Sequence, residues 1–234
     1  MELNNDIILI IGGAVGIGRA SAELCSARGA TVIIADYAQP ENWPGASFHV
    51  DVTEEESVKS LFNAISERYA RLDALVQTAG ILKGQFVPLD ELDVATFRQV
   101  LEVNVTGSFL CTKHAAPLLR KSQNPVVVLF SSGAATGGSS SLAYGTSKGA
   151  VNGYFVTLAN RLASENIRVN VVSPGNIDTP MKRSVIAVDA EKRGLSIQSA
   201  VEASNLGSPA GVARVVAWLV SEEADYVRGI ITTR

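Results

Sequence analysis

Short apolar runs alternate with longer stretches of helical spacing along almost the whole chain. The runs at 7–11, 31–35, 47–50, 72–76, 126–130 and 167–172 read as strands, most of them rich in Val and Ile and without polar alternation, which predicts strands buried on both faces. Helical spacing near 16–28, 54–69, 95–121, 143–164 and 209–221 separates them, and the acidic stretch from Asp51 to Glu56 marks the start of the second helix. Such βαβ alternation predicts an α/β fold, a doubly wound parallel sheet of about seven strands with helices on both faces. Regularity lapses only in 180–208, which is expected to be an irregular lid over a substrate site.

Composition narrows the picture. A chain of 234 residues, 47% hydrophobic and 18% charged, suits one domain over 1–234 that carries every site. A formal charge of −3 with no block of like charges argues against nucleic acid or an anionic membrane as partner and leaves a small molecule. Cys25 and Cys111 match no metal-ligand or redox spacing, so no metal is expected and both read as free thiols of a reducing compartment. The acidic N-terminus and the lack of a long apolar run give the expectation of a cytoplasmic protein.

Two stretches carry candidate chemistry. Gly12, Gly16 and Gly18, with Ile17 between the last two, fall where the first strand yields to the first helix. Glycines there permit a tight turn, close approach of backbone to a pyrophosphate, and helix packing on the sheet, and the helix N-terminus faces the anion. Asp36, eighteen residues beyond Gly18 at the end of the second strand, is placed to accept hydrogen bonds from an adenosine ribose and to repel a 2′-phosphate. Its competing role is to cap the turn. With no cation nearby, NAD(H) is favoured over NADP(H). Later, Tyr144 and Lys148 stand four residues apart on one helix face. Lys148 is expected to lower the tyrosine pKa so that the phenol can exchange a proton near neutral pH.

Taken together, these motifs resemble the short-chain dehydrogenase/reductase family, and the resemblance covers nearly the whole chain. Asp51-Val52, Ala79-Gly80, Asn104-Val105-Thr106-Gly107, Arg168-Val169-Asn170 and Pro174-Gly175-Asn176-Ile177-Asp178-Thr179 are similar to further family motifs in the same order. The resemblance implies a Rossmann fold and a nicotinamide dinucleotide. It implies Tyr144 as general acid or base, Lys148 beside it holding the nicotinamide ribose, and a serine orienting the substrate oxygen. Asn104 would anchor a water that links Lys148 to solvent, or else be a helix-kinking amide satisfied by backbone. Asp51 and Val52 would meet the adenine, with Ala79 and Gly80 under the adenosine. Pro174, Gly175, Ile177 and Thr179 would lie along the nicotinamide half. Spacing selects Ser131, thirteen residues before Tyr144, whereas strand phasing selects Ser132; Ser132 is preferred.

The chain also departs from the family pattern. Ile11 replaces a threonine whose hydroxyl steadies the turn, and Gln77 replaces an asparagine, which is expected to shift the adenosine floor. After Arg234 the family continues into a further tail, so a short seventh strand is expected. Homodimer or homotetramer formation is expected through the helices near 95–121 and 143–164, with the tail-dependent tetramer contact in question. The resulting reading is an NAD(H)-dependent oxidoreductase of a secondary alcohol or ketone. Its rival is a nucleotide-binding sensor or scaffold without turnover. The substrate is open among steroids, sugars, acyl thioesters and small cyclic alcohols.

Overall fold

The computed structural model describes residues 2–234. Seven parallel strands form one sheet: β1 (Ile7–Ile11), β2 (Thr31–Asp36), β3 (Ala46–His49), β4 (Ala74–Gln77), β5 (Val126–Phe130), β6 (Arg168–Ser173) and β7 (Ile230–Thr232). Their spatial order is β3-β2-β1-β4-β5-β6-β7. The chain winds outward from β1 to β3, returns to lay β4 beside β1, and winds outward the other way. The reversal opens a crevice at the carboxyl ends of β1 and β4, where ligands bind in open α/β sheets.

Central strands are apolar on both faces because helices cover both. In β1, Leu9 and Ile11 pack towards α2 (Glu55–Arg68), α4 (Gly107–Leu119) and α5 (Leu142–Leu162). Ile8 and Ile10 pack towards α1 (Gly16–Ala27) and α8 (Pro209–Val220). The edge strand β3 instead alternates half-buried with exposed positions. Helix α2 shows how the pattern makes the fold: Val58, Leu61, Phe62 and Ile65 share one face and are all buried. Burial of each stabilises the fold by roughly 1.5–3 kcal/mol.

Two elements differ from the sequence expectation, and a third, the short last strand, follows it. The helix expected over 95–121 is broken: α3 (Val94–Leu101) passes through a π-helical turn, Glu102–Thr106, before α4 begins. The segment 180–208 is not irregular but folds largely as α6 (Pro180–Lys192) and α7 (Ile197–Ala203). Thr179 caps α6 by accepting from Lys182 N, Pro180 occupies its first turn, and Ser196 caps α7. Strand β7 has only three residues, paired with Val171, Val172 and Ser173.

Two buried polar side chains of β6 fasten the last part of the chain. The Arg168 guanidinium, 1% exposed, donates to the carbonyls of Leu219 and Ala224 at 2.9 and 3.0 Å and to Asn124 Oδ1 at 3.1 Å. Burial lowers its pKa to about 10. Asn170 Nδ2 donates to Val227 O, and its Oδ1 accepts from Gly229 N. No helix among the described residues is long and apolar enough to cross a membrane.

Candidate active site

The glycine turn is fixed by close approach. Gly12 has φ +82°, and a Cβ there would stand 2.4 Å from Ala79 N; a Cβ on Gly18 would stand 2.2 Å from Gly12 O. The hydroxyl expected from residue 11 is supplied across the strand pair by Thr78, whose Oγ1 donates to Ile11 O at 2.7 Å and Gly12 O at 3.0 Å. Helix α1 begins without a side-chain cap and without an acidic residue in its first turn. Its leading N–H groups therefore lack a side-chain acceptor, as an anion-binding helix start requires.

Every cofactor residue named from the sequence except Asn104 lines one cleft of about 1140 Å³, as do Ser132, Tyr144 and Lys148. Gly12, Gly16, Ile17 and Gly18 form the turn, with Thr179 against Gly16. Asp36, Asp51 and Val52 line the cleft at the ends of the strands beyond β1. Ala79 and Gly80 form its wall after β4, and Pro174, Gly175, Ile177 and Thr179 lie after β6. Gln77 is not at the surface of the cleft. It is 1% exposed, and neither polar atom of its amide has a hydrogen-bond partner among the described residues.

Asp36 caps the turn and also lines the cleft. Oδ2 accepts from Ala14 N at 2.9 Å and Oδ1 from Ala38 N at 3.0 Å, so the carboxylate braces the turn while facing the cleft. Asp51 Oδ1 likewise accepts from Thr53 N and Oγ1 at 2.9 and 2.7 Å.

Ser132 follows β5 and Tyr144 stands in the first turn of α5, where the serine hydroxyl acts on the tyrosine pKa; Ser132 Oγ accepts from Ala134 N at 3.2 Å. Ser131 is 3% exposed and donates to Lys148 O at 3.0 Å, a link within the scaffold. Lys148 Nζ donates to Phe130 O at 2.8 Å and lies 5.5 Å from the centre of the Tyr144 ring. The expected lowering of the tyrosine pKa by Lys148 is not found. Burial raises Tyr144 above the ordinary tyrosine value, and only the Ser132 hydroxyl opposes it. Burial also lowers Lys148 to about 8. Desolvation dominates at both groups.

Asn104 stands behind the cleft wall, 1% exposed, within the π-helical turn. Its Oδ1 accepts from Ile81 N at 2.8 Å, and its Nδ2 donates to Ile81 O at 3.0 Å and Ser147 Oγ at 2.9 Å. The amide is thus satisfied mainly by backbone, the second of the two roles expected for it.

Sequence reasoning missed several residues of this cleft. Thr78 was hidden because its value lies in a contact with the first strand. Lys83, Arg98 and Lys182 also line the cleft and had no motif to mark them. The described residues hold no cluster of His, Cys, Asp and Glu fit for a metal ion.

Comparison with known proteins agrees with this arrangement. A family model described as enoyl-(acyl carrier protein) reductase matches residues 12–233. The chain is 34% identical over 236 residues to cis-4-hydroxycyclohexanecarboxylate dehydrogenase of Sinomonas cyclohexanicum, covering 96% of this chain and 93% of that one. It is 34% identical over 242 residues to 3-oxoacyl-(acyl-carrier-protein) reductase of Thermotoga maritima, covering 98% and 96%. Among solved structures, ligand-free aldohexose dehydrogenase of Thermoplasma acidophilum superposes with a TM-score of 0.90 at 29% identity, covering 99% of this chain and 93% of that one. The chain belongs to the short-chain dehydrogenase/reductase family and is an oxidoreductase.

Proposed function

We propose that this enzyme transfers a hydride between NAD(H) and a secondary alcohol or its ketone, with Tyr144 as general acid and base. The observation that carries the reading is the convergence of Ser132, Tyr144 and Lys148 on one cleft that also presents Asp36 and the glycine turn. The cleft fits a dinucleotide: the uncapped start of α1 supplies donors for a pyrophosphate, and the glycines leave its backbone exposed to one.

When bound, the nicotinamide supplies or accepts the hydride. In reduction, the Tyr144 hydroxyl gives its proton to the substrate oxygen as that oxygen gains charge; in oxidation the same oxygen of Tyr144 takes the proton back. The Ser132 hydroxyl, on the same cleft as Tyr144, orients the substrate oxygen against it. Lys148, charged below about pH 8 and 5.5 Å from the centre of the Tyr144 ring, would hold the nicotinamide ribose. Asn104 is a positioning residue, holding Ile81 beside Gly80 and holding Ser147 on α5.

Asp36 supports NAD(H) over NADP(H), since its carboxylate faces the cleft where a 2′-phosphate would bring further negative charge. The segment 180–208, now α6 and α7, is the lid of a single domain spanning 1–234. Two buried free thiols, Cys25 and Cys111, support a reducing compartment, the cytoplasm. A homodimer or homotetramer would use the outer faces of α4 and α5, where Phe109 and Val156 are exposed and no atom stands over the Cβ positions of Gly149 and Gly153. The rival reading as a scaffold finds no support in relatives named for dehydrogenase and reductase activities.

The test is a fluorescence titration of the purified protein with NADH and with NADPH, followed by a screen of secondary alcohols and ketones. Tight binding of NADH, weak binding of NADPH and turnover of at least one screened compound are expected. Preference for NADPH would overturn the role given to Asp36, and binding of neither would overturn the reading itself.

A further inference from the structure

A second cavity of about 690 Å³ adjoins the main cleft, bounded by α6 and α7. Ser140, Lys182 and Val185 line both spaces, so the two are neighbours across a shared wall. The smaller cavity shares no residue with the glycine turn or with Asp36. Its position beside the substrate end makes it a candidate for the part of the substrate away from the reacting carbon.

The charges around this cavity do not cancel. Its one lining carboxylate, Asp189, is 3.1 Å from Arg193 Nη1 and is balanced by it. That leaves Lys182, which is half-buried. Its main-chain N–H bonds to Thr179 Oγ1 at 3.2 Å, but its ammonium has no hydrogen bond or ion pair among the described residues. Lys182 also stands in the first turn of α6, where the aligned peptide dipoles already present positive charge. A cation is disfavoured there unless an anion accompanies it. The remaining wall is largely apolar, with Val185, Ile186 and Leu195 among its residues.

We infer that Lys182 binds a carboxylate of the substrate, so that the substrate is a hydroxy acid or oxo acid whose apolar skeleton lies in the smaller cavity. One unpaired ammonium matches one monoanion, and the apolar wall matches a carbon skeleton better than a polyol. The inference rests on the oxidoreductase reading above and adds to it the substrate class and the residue that selects it. The same ammonium could meet a phosphate of the cofactor, and the experiment separates that source from the substrate.

The probes are oxo and hydroxy carboxylates of four to eight carbons, linear and cyclic, each paired with its methyl ester. Affinities are read by fluorescence titration, first on the NADH complex and then on the protein alone. In at least one pair the acid should bind tenfold or more tightly than the ester. The preference should fall to within about twofold in Lys182→Met and survive in Lys182→Arg, with NADH affinity unchanged in both. Melting curves of the variants show that each is folded. Esters binding as tightly as acids in every pair would overturn the proposal, as would an acid preference that persists in Lys182→Met. Loss of NADH affinity in Lys182→Met would assign the ammonium to the cofactor and overturn it too. Failure of the wild type to bind NADH strikes the oxidoreductase reading instead; the acid and ester comparison on the protein alone still decides the role of Lys182.

Discussion

Ser131 Oγ donates to the main-chain carbonyl of Lys148 at 3.0 Å. Because Lys148 Nζ in turn donates to Phe130 O, β5 and α5 are strapped together in both directions at the point where Ser132 and Tyr144 meet. The two side chains proposed to act on the substrate oxygen are thereby held by one rigid block, which is what a proton transfer sensitive to position demands.

Tyr144→Phe should leave this block intact and remove only the hydroxyl. Turnover is expected to fall by about 10²–10⁴, with NADH affinity within about twofold of wild type and little change in melting temperature. Comparable turnover in the variant would remove Tyr144 from the mechanism.

The pH dependence of ketone reduction should follow Lys148. Its ammonium loses charge as pH rises through about 8, so kcat/KM should decline on the alkaline side from that region. A profile flat from pH 7 to 9.5, measured at saturating NADH, would show that this charge does not assist the reaction.

Asp36→Ala should act on selectivity and stability together. NADH preference over NADPH should shrink at least tenfold. Loss of the acceptor for Ala14 N and Ala38 N should cost about 1–2 kcal/mol, seen as a fall in melting temperature of roughly 2–8 °C. A lower melting temperature with unchanged selectivity would leave Asp36 a brace for the turn alone.

Gln77→Leu should stabilise the protein by about 1–3 kcal/mol, since it removes a buried amide with two unpaired atoms. Denaturant unfolding measures this directly. A destabilised variant would mean that a water or another group satisfies the amide in solution.

Asp6 gives a pH-dependent stability of predictable sign. Burial, then the charges of Asp73 and Glu222, raise its pKa from the ordinary value to about 6, against an opposing pull from Arg71. In the unfolded chain the carboxyl titrates near ~3.9. Between the two values the folded state binds more protons, so this group's contribution falls as pH rises from about 4 to 6 and stays at its lowest above. Asp6→Asn should therefore gain about 1 kcal/mol at pH 8, a figure reduced for the solvent that screens this partly exposed site. The gain should fade towards pH 4, and one that is independent of pH would contradict this assignment.

Much of this architecture was legible in the chain itself. Buried parallel strands leave short runs rich in Val and Ile, so β1, β5 and β6 are located within a residue or two. The segment 180–208 misled because α6 buries only Val185, Ile186 and Ala190, too few to mark a helix by periodicity. Its start is nevertheless written in Thr179-Pro180, of which the family resemblance gives Thr179 only a cofactor role. The π-helical turn left no trace, since it changes the hydrogen-bonding step and not the residue types. Polar groups are hardest to read. Asp36 and Asn104 were found by position, but only coordinates could reveal how many of their bonds go to backbone. The unpaired ammonium of Lys182 is a fact about its surroundings and not about its neighbours in sequence.

The π-helical turn at Glu102–Thr106 has a consequence for insertions and deletions. Deleting one residue there would let a regular ladder run from α3 into α4 and make a better helix by any local measure. It would also rotate one half against the other by about 100°. α3 lies against α5 and α4 against α2, and a continuous helix could not keep both in phase. Asn104 would swing away from Ile81 and Ser147. At this place the number of residues matters more than their kinds: substitutions should be tolerated around Asn104 far more readily than a change of length, and a library of single deletions across 98–110 should find its deepest losses here.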